Sequence, residues 1–436
     1  PLLGLLNLPA EDIQIDRFDP QVAQQRVDQA RGAYVPQLSS VFTANAALAP
    51  PTSFLVGNQG VSSHVSSGTV GVSQRLPWLG GSYAVGFDAS RTSTTSAFAN
   101  FNPTVTARLQ FAWSQPLLKD LSIDAGRQQL VVSKRNRDIS DTRFRETVVR
   151  TLADVKKAYW DLVAARALVD VQQRSLDLAL DLVRINTARV EAGQSPPLDL
   201  VSARAEQAQR EESLTVARIT ARQAEDRLRL LVLDPEGPEF WTTAIDVIDR
   251  PDIQAVTPDV NAVVDKALAE RLDLVRARRE LDNARTNVQF SRNQILPDVR
   301  FQVNLQSNGL GGTRLLREGG FPGTVVGTAG VPFSAIFEQV LRRDYPTWTV
   351  ALNVSYPIGH AAEEASLARA RLEEGQARAR LASLEVKVIR QIRQAAWQIE
   401  MNAGRVSTSR AARDLAEQRL NAEQKRAANE TLLNKQ

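Results

Sequence analysis

The chain of 436 residues is 43% hydrophobic and 23% charged, with 53 basic and 49 acidic side chains and a net charge of +4. It has no Cys and two His, which excludes a disulfide scaffold, a thiolate metal site and a cysteine nucleophile, and argues against a histidine-based site. The scattered basic charge argues against a nucleic-acid surface, and no run of about 20 apolar residues predicts a transmembrane helix.

Segments without charge alternate along the chain with segments dense in charge. Residues 32–74, 319–337 and 345–362 contain no Asp, Glu, Lys or Arg, whereas 119–232 and 259–300 are rich in them. This division indicates a chain that meets two different environments. The alternative is a set of Ser/Thr/Gly-rich disordered loops.

The first predicted elements are a helix over 12–35 and strands within 37–115. In residues 105–113, apolar side chains alternate with Thr, Arg, Gln and Ala, which is typical of a strand with one apolar and one polar face. The polar face carries arginines without a matching acidic pattern, and this favours a membrane barrel over a soluble sandwich. Residues 67–91 predict a further hairpin, which either extends above the barrel or adds strands to it.

A long antiparallel helical hairpin comes next. A helix is predicted from about 122 to 192, because apolar residues recur every three to four positions in a segment that lacks Pro. It would be roughly 100 Å long at 1.5 Å per residue. A tip follows at 193–197, and a second helix at 198–232.

The tip sequence GQSPP contains signals for both helix ends. Gly193 is expected at the first position beyond the first helix, and Ser195 is expected to cap the second one. Pro196 and Pro197 suit the first turn of that helix, where no backbone donor is needed. Asp199 suits its positive end.

The two halves of the chain are related by an internal repeat. Residues 12–40 align without a gap to 273–301, so that Pro36 meets Pro297 at an offset of 261. Further on, Gln115-Pro116-Leu117 corresponds to Tyr356-Pro357-Ile358 at an offset of 241. Each half therefore predicts the order helix, strand, strand, long helix, which indicates an extended and internally symmetric architecture.

The repeat divides the chain into a first unit at 1–232, an inter-repeat equatorial element at 233–259 and a second unit at 260–436. The elements expected in the second unit are a helix at 260–296, strands within 298–356 and a long helix at about 362–428. Residues 308–345 are expected to form an extracellular loop with a short helix in FEQVLRRDY. The final helix is missing from the second unit, so the C-terminus is expected to be incomplete.

The number of strands determines how many chains are needed to close a barrel. Two membrane strands per half give about four per chain, too few to close a barrel, and each backbone group left unpaired in lipid costs several kcal/mol. Two chains would give eight strands, whose interior is filled by side chains. We therefore expect three chains to share about 12 strands, with their helices continuing as a long tube.

Four sets of motifs, together with the repeat, carry a family resemblance. They are ARGAYVPQL with SRNQILPDV, SQPLL at 114–118 with SYPI, AYWDLV at 158–163, and AGQSPPLDLVSAR at 192–204. With them, nearly the whole chain resembles the TolC-like outer-membrane efflux protein family. The resemblance implies a mixed α and β fold, in which a homotrimeric 12-stranded transmembrane β-barrel continues as an α-helical periplasmic tunnel.

The same resemblance implies a function and a location. The protein would be the exit duct of a tripartite efflux pump or type I secretion system, passing small molecules or proteins from the periplasm to the exterior. Its place would be the outer membrane of a Gram-negative-type bacterium. Expected partners are a periplasmic adaptor (membrane fusion) protein, an inner-membrane transporter and outer-membrane lipid, with no cofactor, metal or nucleic acid.

Two sets of residues are expected to serve this function. By resemblance, an adaptor would dock at the entrance tip, although Leu198 stands where the family often has a small hydroxyl residue. The tip set is Gly193, Ser195, Pro196, Pro197, Leu198 and Asp199. From the alternation, polar strand residues would line a wet and slightly cation-repelling lumen; they are Arg108, Gln110, Arg300, Gln302, Asn304 and Asn353.

Two other classes of protein compete with this interpretation. A soluble coiled-coil scaffold would be purified without detergent and would not form a trimer. An enzyme is disfavoured, because the sequence has no convergent His, Cys or Gly-rich phosphate motif and no catalytic residue can be assigned.

Overall fold

A computed structural model describes residues 11–50, 60–249, 258–320, 322–359 and 361–433. The part of the inter-repeat element from 250 to 257 lies outside the described residues. Contacts between Cα atoms divide the chain into two compact units. One comprises 23–137 and 281–377, and the other comprises 1–22, 138–280 and 378–436.

The unit that contains 23–137 is built around one antiparallel sheet. Its strands are β1 (Gln37–Ala49), β2 (Val61–Arg75), β3 (Ser82–Thr94), β4 (Phe101–Pro116), β5 (Asp298–Glu318), β6 (Thr324–Val331) and β7 (Tyr345–Ser355). Strands β1 to β5 are neighbours in chain order. The remaining edge of β5 is shared, because β7 pairs with 298–308 and β6 pairs with 312–318.

The sheet has more strands than the sequence predicts. We expected about four strands per chain, whereas the described residues form a sheet of seven. Two of the additional strands, β2 and β3, include the segment 67–91, whose status the sequence left open. Another, β6, comes from the segment expected to be a loop.

Helices make up most of the rest of the described chain. They are α1 (Glu11–Asp16), α2 (Asp19–Gly32), α3 (Ala125–Glu191), α4 (Pro197–Val232), α5 (Val260–Glu270), α6 (Leu272–Gln294), α7 (Phe333–Arg342) and α8 (Ala361–Leu433). Within the described residues, none of them combines the length and the apolar character needed to cross a bilayer. In the long helix α3, apolar residues recur with heptad-like spacing, which is typical of a helix that packs along one side.

Two helices expected to be continuous are each divided. The one predicted over 12–35 is α1 and α2, because Pro20 lacks the backbone N–H that would bond the carbonyl of Asp16, and its ring crowds that carbonyl. The one predicted over 260–296 is α5 and α6. Here Arg271 has an extended backbone, with ψ 128°, and its guanidinium pairs with Asp273 at 2.7 Å.

The segment 308–345 is more ordered than a loop. Strand β5 continues to Glu318, β6 returns along it, and α7 packs on the sheet through Ile336 and Val340, which contact Ala107. The alternation of apolar and polar residues stops after Leu305, where Ser307, Gly309 and Gly311 follow on the same face, so the sequence carries no strand signal there.

In the helical unit, α3 and α4 pack through Ala158, Leu162 and Leu228. The inter-repeat segment covers this cluster with Ile245 and Val247. Polar contacts hold the segment there: for example, Arg229 donates to the carbonyl of Thr243 at 3.0 Å. The element after α4 is therefore part of the hairpin's own core.

Candidate functional site

The six polar strand residues selected from the sequence lie on one face of the sheet. In an antiparallel pair, residues directly opposite each other project from the same face. Strands β4 and β5 place Arg108 opposite Asn308 and Gln110 opposite Gln306. Because alternate residues share a face, this face also contains Arg300, Gln302 and Asn304, and β7 places Asn353 opposite Arg300. We call it the polar face.

The arginines of the polar face have acidic partners. Arg108 Nε lies 2.6 Å from Asp88 Oδ1, and its Nη2 lies 3.1 Å from Oδ2, a bidentate ion pair across β3 and β4. Arg300 contacts Asp298 at 2.7 Å and Asp120 at 3.1 Å. The interpretation that these arginines lack acidic partners is therefore wrong. The paired carboxylates offset most of the positive field, which weakens the expected preference against cations.

Hydroxyl and amide groups extend the polar face across the other strands. Ser90 and Thr106 approach to 2.8 Å between β3 and β4. Gln306 donates to Asn308 at 2.7 Å, and Asn308 donates to Thr347 Oγ1 at 3.3 Å. Such groups bind water readily, so this face suits contact with an aqueous solution.

The opposite face of the same strands is apolar. Strand register aligns Phe111, Leu305 and Trp348 in one row and Trp113, Val303 and Val350 in another. The helix α7 covers one end of this face at Ala107, and elsewhere the described residues leave it largely uncovered: for example, Trp348 is 72% exposed. A contiguous apolar surface of this extent requires a covering environment. A sheet that is polar on one side and apolar on the other can separate water from a hydrophobic phase.

Sequence reasoning missed the acidic members of the polar face. Asp88 lies in the segment whose strand status was open, and Asp120 lies in the turn after β4 with φ +65°. The signal that would have found Asp88 is register, because aligning β3 with β4 places it opposite Arg108. Local alternation alone does not supply that register.

The tip between α3 and α4 is set by Gly193. Its φ of +69° is a left-handed conformation that favours glycine. The amide of Gly193 donates to Val190 O at 3.0 Å, and that of Gln194 donates to Arg189 O at 2.8 Å, the bond pattern of a Schellman motif. The prediction that Gly193 follows the end of the first helix is confirmed.

The start of α4 differs from expectation. The residue at the cap position is Pro196, which makes no side-chain cap bond, and Pro197 is the first helical residue. Ser195 is therefore not the cap, and that prediction is wrong. The helix begins one residue later because the amide of Asp199 donates to Pro196 O at 3.1 Å. Asp199 lies in the first turn, where its negative charge interacts favourably with the positive end of the helix dipole.

The tip presents apolar side chains to solvent. Leu198 is 70% exposed, and Val201, one turn further along α4, is 61% exposed. Apart from its two chain neighbours, none of the described residues has an atom within 4 Å of a Cβ added to Gly193. Leu198 belongs to the predicted set, whereas Val201 does not. Exposed apolar residues on a tight turn can insert into a complementary surface.

The described residues contain no group of three or more His, Asp or Glu side chains arranged to hold a metal ion. The candidate functional features are the sheet with one polar and one apolar face in one unit, and the exposed tip in the other.

Comparison with known proteins relates these features to a family. A model described as outer membrane efflux protein matches residues 73–232 and 263–429. None of the proteins of curated function matches the sequence.

Solved structures share the fold. CusC, described in a study of transmembrane channel formation, has a TM-score of 0.62 and 15% identity, covering 97% of this chain and 80% of its own. The outer membrane protein VceC from Vibrio cholerae has a TM-score of 0.60 and 14% identity, covering 95% and 81%. The CmeC outer membrane channel of Campylobacter jejuni has a TM-score of 0.55 and 13% identity, covering 90% and 68%.

Proposed function

The chain belongs to the outer membrane efflux protein family, and we propose that it is the exit duct of a tripartite efflux pump or a type I secretion system. As an outer-membrane efflux channel, it is located in the outer membrane of a Gram-negative bacterium. The family is one of channels rather than enzymes. In this proposal the chain catalyses no reaction, and transport through it draws its energy from an inner-membrane partner.

The observation that carries the proposal is the two-faced sheet. The polar face would line a water-filled lumen, with Arg108, Gln110, Arg300, Gln302, Asn304 and Asn353 in contact with solution. The apolar face would contact outer-membrane lipid. A soluble scaffold would have no use for a sheet surface on which Trp348 is 72% exposed.

The sheet also supports a multi-chain barrel. Among the described strands, the outer strands β1 and β7 each have one edge without a partner. In lipid, each unpaired backbone group costs several kcal/mol, so these edges must pair with other copies. We propose a homotrimer, in which the long helices of three chains form a tunnel extending into the periplasm.

The tip supports the proposal of an adaptor partner. A periplasmic adaptor protein would dock on the exposed turn formed by Gly193, Ser195, Pro196, Pro197, Leu198 and Asp199. Leu198 would supply an apolar anchor, and the left-handed Gly193 would fix its presentation. Efflux and type I secretion both require such a partner, and the transported substrate would pass from the periplasm to the exterior.

Planar-bilayer recording of the purified protein tests the lumen assignment. The double substitution Arg108→Glu and Arg300→Glu should shift the reversal potential in a salt gradient towards cation selectivity, because two positive side chains become negative beside existing carboxylates. Asp88→Asn should shift it the other way, since it leaves Arg108 without its partner.

A charge on the opposite face provides the matched control. Arg91 lies opposite Val105 on the apolar side of the sheet and is exposed. Arg91→Glu should leave ion selectivity unchanged. If it alters selectivity as strongly as the Arg108 and Arg300 substitutions, the assignment of the polar face to the lumen fails.

A further inference from the structure

The β2–β3 hairpin is a full member of the sheet. β1 and β2 pair from Gln37↔Ser73 to Ala49↔Val61, and β3 pairs with β4 from Ser82↔Ser114 to Thr92↔Thr104. A hairpin that extended above the sheet would pair with its neighbours only near their ends. Here the hairpin separates β1 from β4 along their length.

The internal repeat shows that these two strands are extra. In the second half, β5 and β7 pair directly, with Asp298 opposite Ser355. The repeat offsets relate these residues to Gln37 and Ser114. Those two residues are not neighbours, because Gln37 faces Ser73 and Ser114 faces Ser82. The first half therefore has four strands where the second half has a direct pair.

The hairpin has the chemistry of the strands around it. On the polar side, Asp88 binds Arg108 and Ser90 contacts Thr106. On the apolar side, Val85 lies opposite Val72 and Phe111. Its turn is fixed at the near end of β4, where Gln115 Nε2 donates to Leu79 O at 2.7 Å. Both faces of the sheet thus continue through the insertion.

The second half does not gain a comparable strand. β6 pairs with 312–318, on the same edge of β5 that β7 occupies at 298–308. The two strands therefore share one position in the sheet, one after the other along β5. The chain has six strand positions side by side, given by β1, β2, β3, β4, β5 and the shared position of β6 and β7.

We propose that each chain contributes six strands to the barrel wall, so that a homotrimer forms a barrel of about 18 strands rather than about 12. This rests on the proposed trimeric function. Barrel diameter rises roughly in proportion to strand number, and barrels of about 16–18 strands enclose an open aqueous channel. The β2–β3 insertion is then the element that sets the width of the barrel.

Engineered disulfides test the insertion within one chain, because these 436 residues contain no Cys that would compete. Thr43→Cys with Ser67→Cys, and Ser90→Cys with Thr106→Cys, should each give a linked peptide pair by mass spectrometry after oxidation in membranes. Their native hydroxyls are 2.5 Å and 2.8 Å apart. Asn304→Cys with Thr349→Cys, on neighbouring strands of the second half, is the positive control.

A different pair of cysteines tests the alternative arrangement, in which the hairpin is not part of the barrel wall. If the hairpin lay outside the wall, the repeat would place Thr43 opposite Arg108, as Asn304 is opposite Thr349. In the structure, three strand spacings of about 4.8 Å separate these positions, too far for a disulfide. Linkage of Thr43→Cys to Arg108→Cys would overturn the proposal. So would the absence of both hairpin links when the positive control forms.

Strand number in the assembled particle is the second measurement. A cross-section of the detergent-purified channel by electron cryo-microscopy should contain about 18 strands, and a trimer with 12 would overturn the proposal. A particle that is not a trimer would contradict the proposed function instead. The disulfides within one chain would still decide whether the hairpin is inserted.

Discussion

At the scale of single residues, Gly193 carries the clearest structural requirement. Its φ of +69° lies in the left-handed region, which costs a residue with a side chain roughly 1 kcal/mol or more. Two backbone hydrogen bonds at the end of α3 depend on that conformation. The space beside Gly193 is open among the described residues, so an added Cβ would meet no atom beyond its chain neighbours. The penalty of a substitution there is therefore a backbone effect alone.

Gly193→Ala should lower the free energy of local opening at the tip by about 1 kcal/mol, because alanine is strained in the left-handed region. Hydrogen exchange of residues 186–196, followed by mass spectrometry, should become about fivefold faster. The matched control is Gly404→Ala in α8, where the glycine is helical and exposed, and where an added Cβ would meet none of the described residues outside its own helix turn. That change should slow local exchange, since alanine favours a helix by about 1 kcal/mol. Equal effects at both sites would contradict the assignment.

Residue-level prediction from the sequence succeeded where the signal is local. The position of Gly193 just beyond α3 could be predicted, because a glycine that follows a long helical period of apolar residues signals the end of the helix. The shared face of Gln110 and Gln302 follows from strand alternation. The Asp88 partner of Arg108 could not be predicted, because it depends on which strand lies beside β4 and in which register.

At the scale of elements, α7 depends on two glycines of β5. A Cβ added to Gly309 would lie 2.5 Å from the carbonyl oxygen of Ile336, and one added to Gly311 would lie 2.7 Å from the Ile336 side chain. The glycines therefore allow the helix to approach the sheet closely. Ser307 Oγ reinforces the contact by donating to Val340 O at 2.6 Å.

Gly309→Ala should displace α7 from the sheet, because the added methyl group meets backbone that cannot move without the helix. Overpacking of this kind costs about 1–3 kcal/mol. Trypsin cleavage after Arg342 and Arg343, at the end of α7, should become faster by a factor of five or more. Gly330→Ala in β6 should leave cleavage unchanged, since its added Cβ would have no atom of the described residues within 4 Å other than those of its chain neighbours. If Gly309→Ala also leaves it unchanged, the close packing of α7 is not needed to hold it.

Element-level prediction was strongest for the long helices. The bounds expected for the first, about 122–192, lie close to those of α3, because a sustained apolar period identifies a helix of that length. The division at Arg271 could not be predicted, because Glu270-Arg271-Leu272 contains neither Gly nor Pro. Strand β6 was missed because its glycines and short length resemble a loop.

At the scale of the whole molecule, the repeat specifies how neighbouring chains should meet. In the sheet, β4 pairs with β5 and places Ala112 opposite Asn304. The offsets relate Ala112 to Asn353 in β7, and Asn304 to Thr43 in β1. If a neighbour's β7 meets β1 as β4 meets β5, Asn353 of one chain lies opposite Thr43 of the next. The same register places Val354 opposite Phe42, so polar side chains meet polar ones and apolar meet apolar.

This register leads to a direct test of the assembly. A chain carrying both Thr43→Cys and Asn353→Cys should form covalent dimers and trimers on a non-reducing denaturing gel after oxidation in membranes. The link must join different chains, because β1 and β7 lie at opposite edges of one sheet.

A shifted pair serves as the control for that experiment. Ala47 lies on the same face of β1 four residues from Thr43, a distance of about 14 Å along a strand. Ala47→Cys with Asn353→Cys should remain monomeric, because a disulfide requires Cβ atoms about 4 Å apart. Equal linkage by both pairs would indicate collision rather than strand pairing. If neither pair links, the free edges of the sheet do not meet in the way the repeat implies, and closure of the barrel needs another arrangement of chains.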